Sequence, residues 1–259
     1  MAKQFPLLIS IPHGGDKIPP EVRDGLRLGK KELFEDSDAF SKTIYNIGKT
    51  ARSTLIFDIF RAIVDPNRQT DDLPPANPDG VIKSHTCYKK KIYRTDLHND
   101  SRLVTELLSK YYNEYHNRIR EEINRNDIAI AFDCHTMASK APDIAPDKEM
   151  NRPVITLGNY FGKSCDYQVT QKLAGSFIKV FGLDGNQVTI NKPFAGGYIT
   201  RNYGNRPVPW IQIEMNRCLY LDDRWFNAEK MEIKENRLKV LNKKFKMVVE
   251  KFFEEQYTF

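Results

Sequence analysis

Short apolar runs alternate along the chain with longer stretches whose apolar residues recur at helical spacing. Residues 7–11, 128–132, 154–158, 187–190 and 210–215 read as strands, each rich in Ile, Leu, Val or aromatic residues and bounded by polar or turn-forming neighbours. Two further extended segments are expected at 53–57 and 59–64. Helices are predicted at 37–49, 103–124, 167–181 and 227–259, the second with Leu107, Leu108, Tyr111, Tyr112, Tyr115 and Ile119 forming a face. Strands that alternate with helices in this way predict a βα architecture around a parallel or mixed sheet.

Three segments break the alternation. Residues 65–79 carry Pro66, Pro74, Pro75 and Pro78 among Asp and Asn, a composition that disfavours regular elements and suits an ordered loop. Residues 136–153 form a second proline-bearing loop, and long loops inside compact domains are usually functional. Residues 193–204 hold Gly196, Gly197 and Gly204 amid aromatics, either a turn or a place where backbone approaches a ligand closely. No repeat, low-complexity segment or linker splits the chain, so one domain is expected over 1–259.

Composition adds mainly exclusions. With 40% hydrophobic and 29% charged residues the chain is of the ordinary soluble globular kind. No apolar run approaches the roughly 18 residues that span a bilayer. The N-terminus lacks an apolar signal region, and a cytoplasmic protein without membrane contact is expected. Cys87, Cys134, Cys165 and Cys218 are scattered without CxxC spacing, which argues for reduced thiols over a zinc ribbon or disulfide scaffold. Only Cys134 is weighed as a nucleophile, and with no activating helix terminus or basic cluster beside it, packing is the favoured reading. The net charge of +6 raises the question of nucleic acid. Many of the lysines fall in 230–251 interleaved with glutamates, the pattern of a solvated helix face, so no nucleic-acid partner is expected and a small anionic substrate makes better use of the field.

The chemistry-bearing residues sit at or just after the strands. They are Pro12-His13-Gly14-Gly15-Asp16, Asp65-Pro66-Asn67-Arg68, Asp133-Cys134-His135, and Glu214 behind Trp210 to Ile213. Ligands bind outside the carboxyl ends of strands in open α/β sheets, so these motifs can converge. His13 and Asp16, with His135 from a distant strand, have the composition of a zinc site with an open position, although a lone loop histidine also serves as a turn residue. Asp133 lies on the same strand face as His135 and is placed to hold its ring. Glu214 is costly inside an apolar strand unless it faces a polar site, as a general base, or a partner such as Arg217. Arg68 offers a planar fork for a carboxylate beside Asn67, or stands in a surface turn, and Arg201 near the glycine loop is a second anion contact. His85, His98 and His116 read as structural or surface residues.

Together these stretches resemble the N-formylglutamate amidohydrolase family over nearly the whole chain. Six signatures occur in the family's order: Ser10 to Gly15 with Ile18-Pro19, Glu35-Asp36-Ser37-Asp38, Val64 to Arg68, Phe132 to His135, Gly196 to Arg201 with Tyr203-Gly204, and Gln212 to Met215 with Leu219-Tyr220. The resemblance implies a three-layer αβα fold with a mixed, largely parallel sheet, similar to zinc carboxypeptidases and aspartoacylases. It implies one Zn2+ per chain on His13, His135 and a carboxylate, with Asp16 and Asp38 both in contention for that place. Glu214 becomes the general base, and Asn67 with Arg68 grips a substrate carboxylate. The family's usual Asp-x-Asp-Trp-His reads Asp36-Ser37-Asp38-Ala39-Phe40 here, and Glu214-Met215 continues into Asn216-Arg217. The expected activity is cleavage of the N-acyl amide of a small anionic N-acyl amino acid, most simply N-formyl-L-glutamate. The alternatives are an amidase or peptidase acting on a larger peptide or cell-wall amide, and a non-catalytic basic binding module. Oligomeric state is left open.

Overall fold

The computed structural model describes residues 3–125, 127–142, 145, 147, 148 and 150–256, apart from the side chains of residues 98 and 256. Six strands make the main sheet: β1 (Phe5–Ile11), β2 (Ala51–Ile56), β3 (Ile130–Met137), β4 (Ile155–Gly158), β5 (Val188–Ile190) and β6 (Trp210–Asn216), in the order β2-β1-β3-β6-β4-β5. All neighbours run parallel except β4 against β6. The sheet is therefore mixed and largely parallel, with helices on both faces. The carboxyl ends of β1, β3 and β6 lie side by side, with Ser10 opposite Asp133 and His135 opposite Glu214.

One face is covered by α2 (Ser41–Tyr45), α5 (Tyr167–Phe181) and α7 (Glu235–Gln256), which close on Leu7, Ile9, Ile11, Phe132, Ile211 and Ile213. In α7 the buried residues Leu238, Leu241, Phe245, Val248, Val249 and Phe252 recur every three to four positions, the stripe that makes it a helix against a core. The Asp166 carboxylate caps the start of α5 by accepting from the Gln168 N–H at 2.6 Å, and Gly182 ends it at φ +67°. The other face is covered by α3 (Ser101–Leu107) and α4 (Glu114–Ile123), joined through a wider helical turn at Leu108–Asn113, together with α6 (Tyr198–Tyr203) and the long 57–100 connection.

Several elements differ from the sequence expectation. The 37–49 helix shrinks to α2, because Phe40 before it takes φ +62° and Asn46 after it is extended. Residues 59–64 form no strand: Ile59 makes an isolated parallel bridge with Lys17, and a turn follows, closed by Ile63 N–H to Phe60 O at 2.9 Å. The 193–204 segment contains α6, and a short helix α1 (Lys30–Asp36) was unforeseen. The final helix starts only at Glu235, after a small hairpin of β7 (Phe226–Asn227) and β8 (Glu232–Ile233), and its expected end at 257–259 lies outside the described residues. So do residues 143, 144, 146 and 149 of the 136–153 loop, whose first two residues complete β3. Among the described residues no helix is long and apolar enough to cross a membrane. All four cysteines are free, as expected.

Candidate active site

Strand alternation sorts the side chains of the central strands. Phe132 and Cys134 on β3, and Ile211, Ile213 and Met215 on β6, go to the α7 face. Asp133, His135, Gln212 and Glu214 therefore emerge on the opposite face at the carboxyl end. His135, Gln212 and Glu214 line a cleft of about 450 Å³ with His13, Asp38, Asn67, Arg68 and Arg201, and Asp133 lies buried behind His135.

His13 follows β1 in a sharp turn. The turn closes on the end of β2, with the Asp16 and Lys17 N–H groups donating to Asp58 O at 3.0 and 2.9 Å. Gly15 makes this approach feasible, since a Cβ there would stand 2.3 Å from the Asp58 carbonyl carbon. The same turn carries Asp16 outward: its side chain is 61% exposed and pairs with Lys42. The carboxylate that joins the two histidines is Asp38, brought in by the connection from α1 to α2 and anchored by its N–H to His13 O at 3.3 Å.

Three buried donor atoms converge. His13 Nδ1 and His135 Nδ1 are 3.1 Å apart, and Asp38 Oδ2 lies 3.5 and 3.2 Å from them. A tetrahedral first-row divalent ion with ligand bonds of 2.0–2.1 Å has ligand atoms about 3.3 Å apart, so the donor set fits such an ion by both chemistry and spacing. Each imidazole is backed by a carboxylate on its far nitrogen, His13 Nε2 by Asp65 Oδ1 at 2.7 Å and His135 Nε2 by Asp133 Oδ1 at 3.3 Å. That contact fixes the tautomer that turns Nδ1 toward the common point. Asp38 Oδ1 is held by Arg217 Nη2 at 3.1 Å, and its Oδ2 also accepts the Thr136 N–H at 3.0 Å.

The two supporting carboxylates live in different surroundings. Asp133 accepts from the Ser10 and Thr200 hydroxyls at 3.3 and 3.1 Å. Asp65 is fully buried and meets cations, Arg61 Nη2 at 2.9 Å and Lys83 Nζ at 3.3 Å. Burial alone would raise the Asp65 pKa, but His13, Arg61 and Lys83 outweigh it and hold the carboxyl well below its usual range. Burial and Arg61 likewise work against a charge on Lys83, yet Asp79, Asp36 and Asp65 keep its pKa above the usual lysine value.

Glu214 is 6% exposed, and burial pushes its carboxyl up to about 7. Its Oε1 accepts from Gln212 Nε2 at 2.9 Å, and Gln212 in turn accepts the Gly197 N–H. Gly197 packs on Asn67, whose Nδ2 a Cβ would meet at 2.3 Å, while Asn67 Oδ1 accepts the Ile199 N–H at 2.8 Å. The Asn67 amide is thus oriented with Nδ2 on the His135 side, 3.3 Å from His135 Nε2. Arg68 closes the turn that begins at Asp65, its N–H on Asp65 O at 3.3 Å, and its half-buried side chain lines the cleft, Nε donating to Asp79 O and Nη2 to Asp79 Oδ2, each at 2.9 Å. Arg201 is exposed at the rim, its Nε on Gly197 O at 3.2 Å, and has no ion-pair partner among the described residues.

Sequence reasoning named Arg217 as a partner for Glu214, whereas the structure gives it to Asp38. It gave no role to Asp65, Lys83 or Gln212. Asp65 and Gln212 stand inside motifs already singled out, so polar residues closing apolar runs were their signal; Lys83 lies in the irregular 57–100 connection with no local signature. Cys134 is fully buried on the far side of β3, and burial raises its thiol pKa well above normal, which rules against a nucleophile. His116 is buried between Tyr203 OH and Pro66 O, and His85 Nδ1 meets the Ser84 hydroxyl at 3.0 Å. The side chain of His98 lies outside the described residues.

Two imidazoles, a carboxylate and a buried glutamate in an arginine-lined cleft, on an αβα sheet, define a hydrolase-type site. The chain belongs to the N-formylglutamate amidohydrolase family, whose sequence profile matches residues 5–221. It is 28% identical over 230 residues to an N-formylglutamate deformylase of Pseudomonas aeruginosa, covering 85% of this chain and 84% of that protein. With the N-formylglutamate deformylase of Pseudomonas putida it shares 26% over 229 residues, covering 85% and 83%. Its fold is that of an N-formylglutamate amidohydrolase from Ralstonia eutropha JMP134, with a TM-score of 0.78 at 20% identity, covering 98% of this chain and 94% of that one. The family expected from the six motifs is thereby shown, and the three-layer architecture with it.

Proposed function

We propose that the protein is a zinc-dependent amidohydrolase that removes a small acyl group from an anionic N-acyl amino acid, most simply converting N-formyl-L-glutamate to formate and L-glutamate. The observation that carries this reading is the convergence of His13, His135 and Asp38 beside Glu214 in a chain of this family. A zinc ion held by those three residues, one per chain, would polarise the scissile carbonyl and acidify a water. Glu214 spends Oε1 on Gln212, which leaves Oε2 to take the proton of the attacking water and pass it to the leaving amine. Burial raises this carboxyl above the usual range, toward that in which one group both takes and gives a proton at neutral pH. Arg68 has Nη1 beyond its contacts to Asp79, and it and Arg201 are the cations we assign to the substrate carboxylates, with Asn67 Nδ2 as a further donor. Binding a dianion between two arginines fixes the amide over the two histidines before chemistry.

A second reading, an amide with a larger acyl group, draws on the apolar Met137, Pro193 and Phe194 among the residues that line the cleft. Turnover of N-formyl-, N-acetyl- and longer N-acyl-L-glutamates by the zinc-loaded protein separates the two. Glu214→Gln is expected to keep about one zinc per chain and to lose two to four orders of magnitude in kcat, the scale of general-base catalysis. Undiminished turnover by that variant removes Glu214 from the mechanism, and a zinc-loaded wild type that cleaves none of these amides removes the reading itself.

A further inference from the structure

Lys83 has a fully buried side chain and is not itself among the residues that line the cleft. Its Nζ sits between two carboxylates, 3.3 Å from Asp65 Oδ2 and in a short contact with Asp79 Oδ1. The other oxygens of the same carboxylates face the site. Asp65 Oδ1 takes His13 Nε2 at 2.7 Å and the Asn67 N–H at 2.9 Å, and Asp79 Oδ2 takes Arg68 Nη2 at 2.9 Å. Arg61 supplements the bridge, 2.9 Å from Asp65 and 4.0 Å from Asp79. A third carboxylate, Asp36, lies 3.9 Å from Nζ with an Oδ2 that has no hydrogen-bond partner.

A lysine this deep is costly unless it is paired, and the pairing here does more than neutralise charge. Without Nζ, the buried Asp65 and the 21% exposed Asp79 would keep only Arg61 between them, 2.9 and 4.0 Å away, and the His13 ring and the Arg68 fork each hang from one of these carboxylates. We propose that Lys83 is a positioning residue that ties the metal-ligand half of the site, through Asp65 and His13, to the anion-binding half, through Asp79 and Arg68. The proposal rests on the assignment of His13 to a metal and Arg68 to a substrate carboxylate. It goes beyond that assignment in making the two halves one mechanical unit.

The test measures two affinities, neither of which needs turnover: zinc, by competition with a chromophoric chelator, and glutarate, a dicarboxylate of the glutamate skeleton lacking the amide, by calorimetry on the zinc-loaded protein. Lys83→Met is expected to weaken zinc by about tenfold or more, as loss of a group supporting a ligand does, and glutarate by roughly tenfold. A role through charge alone predicts opposite signs, since removing a cation favours zinc while disfavouring glutarate; tighter zinc in Lys83→Met therefore overturns the proposal. So do two affinities unchanged within about twofold. Should Lys83→Met fail to fold, Lys83→Arg carries the test, because it keeps the charge and moves its position: both affinities weakened supports positioning, and both unchanged overturns it. A wild type that binds zinc and glutarate but cleaves no amide sinks the hydrolase reading and leaves the coupling standing. A wild type that binds neither overturns both.

Discussion

The two faces of the sheet are built from the same strands on opposite principles. Toward α7, β1, β3 and β6 present Leu7, Ile9, Ile11, Phe132, Cys134, Ile211, Ile213 and Met215, and the helices above them answer with Phe177, Phe245 and Phe252. Toward α4 and α6, the same strands present Ser10, Asp133, His135, Gln212 and Glu214, all of them buried. The first face removes apolar area from water, which stabilises. The second buries charge and hydrogen-bonding capacity, which breaks even at best and is maintained by the partners of His13, His135, Asp38, Asp65 and Asp133. The α7 face thus secures the fold, while the other face gives up stability for a fixed arrangement of groups. Changes on the first should therefore move stability without touching the site, and changes on the second should couple stability to pH.

The largest effect is expected on the apolar face. Phe245 is fully buried, its ring 4.8 Å from Tyr45 and 6.5 Å from Phe177. Phe245→Ala should cost about 4 kcal/mol in denaturant unfolding, with zinc affinity of the folded protein unchanged. A zinc affinity that falls along with stability would break the separation of the faces.

Next comes His116, on the polar face. Its Nε2–H donates to Pro66 O at 2.9 Å, and its Nδ1 accepts from Tyr203 OH at 2.8 Å, so it joins α4 to α6 and to the turn before Asn67. Burial lowers its pKa to about 4; Pro66 O and Asp133 oppose that shift and Arg120 adds to it. The folded protein holds this histidine neutral, while the unfolded chain takes up a proton near pH 6.5. Stability from this group is thus complete above about pH 6.5, is lost as pH falls toward 4, and is flat below; the loss is about 3 kcal/mol. Unfolding free energies at pH 7.5 and 4.5 should fall by about that much more for the wild type than for His116→Gln. Equal pH slopes in the two proteins would show that the face is not a proton-sensitive one.

The same contrast explains what could be read in the sequence. The central strands were legible because parallel strands covered on both sides become nearly continuous apolar runs, and the polar residues closing them marked the carboxyl edge. Asp133 was placed correctly behind His135 by strand alternation alone. Asp38 was reachable only by resemblance, since nothing local says that the connection from α1 to α2 folds back to bond His13 O. The spacing of Asp16 from His13 pointed inward, and the contact of Gly15 with the backbone of Asp58 turned it out. Lys83 was invisible for the same reason: its partners are 18, 4 and 47 residues away along the chain, at Asp65, Asp79 and Asp36. The start of α7 was misplaced because β7 and β8 pair first, with Trp225 under the Arg237 guanidinium at 4.7 Å, a tertiary contact that helical periodicity does not announce.

The smallest effect should come where the faces meet most closely. Cys134 stands between Asp133 and His135 in the chain, yet its side chain is on the α7 face among the apolar residues, and its thiol makes a 3.9 Å contact to Phe132 O. If position in a motif governed function, Cys134→Ala would damage the site. If the face governs, the variant loses a small buried apolar group, at about 1 kcal/mol. Zinc content, kcat and glutarate affinity should stay at wild-type values while the unfolding midpoint drops slightly. A loss of kcat in a Cys134→Ala protein of wild-type zinc content would mean that the backbone of β3 transmits packing on one face to the chemistry on the other. The two faces would then have to be treated as a single cooperative layer.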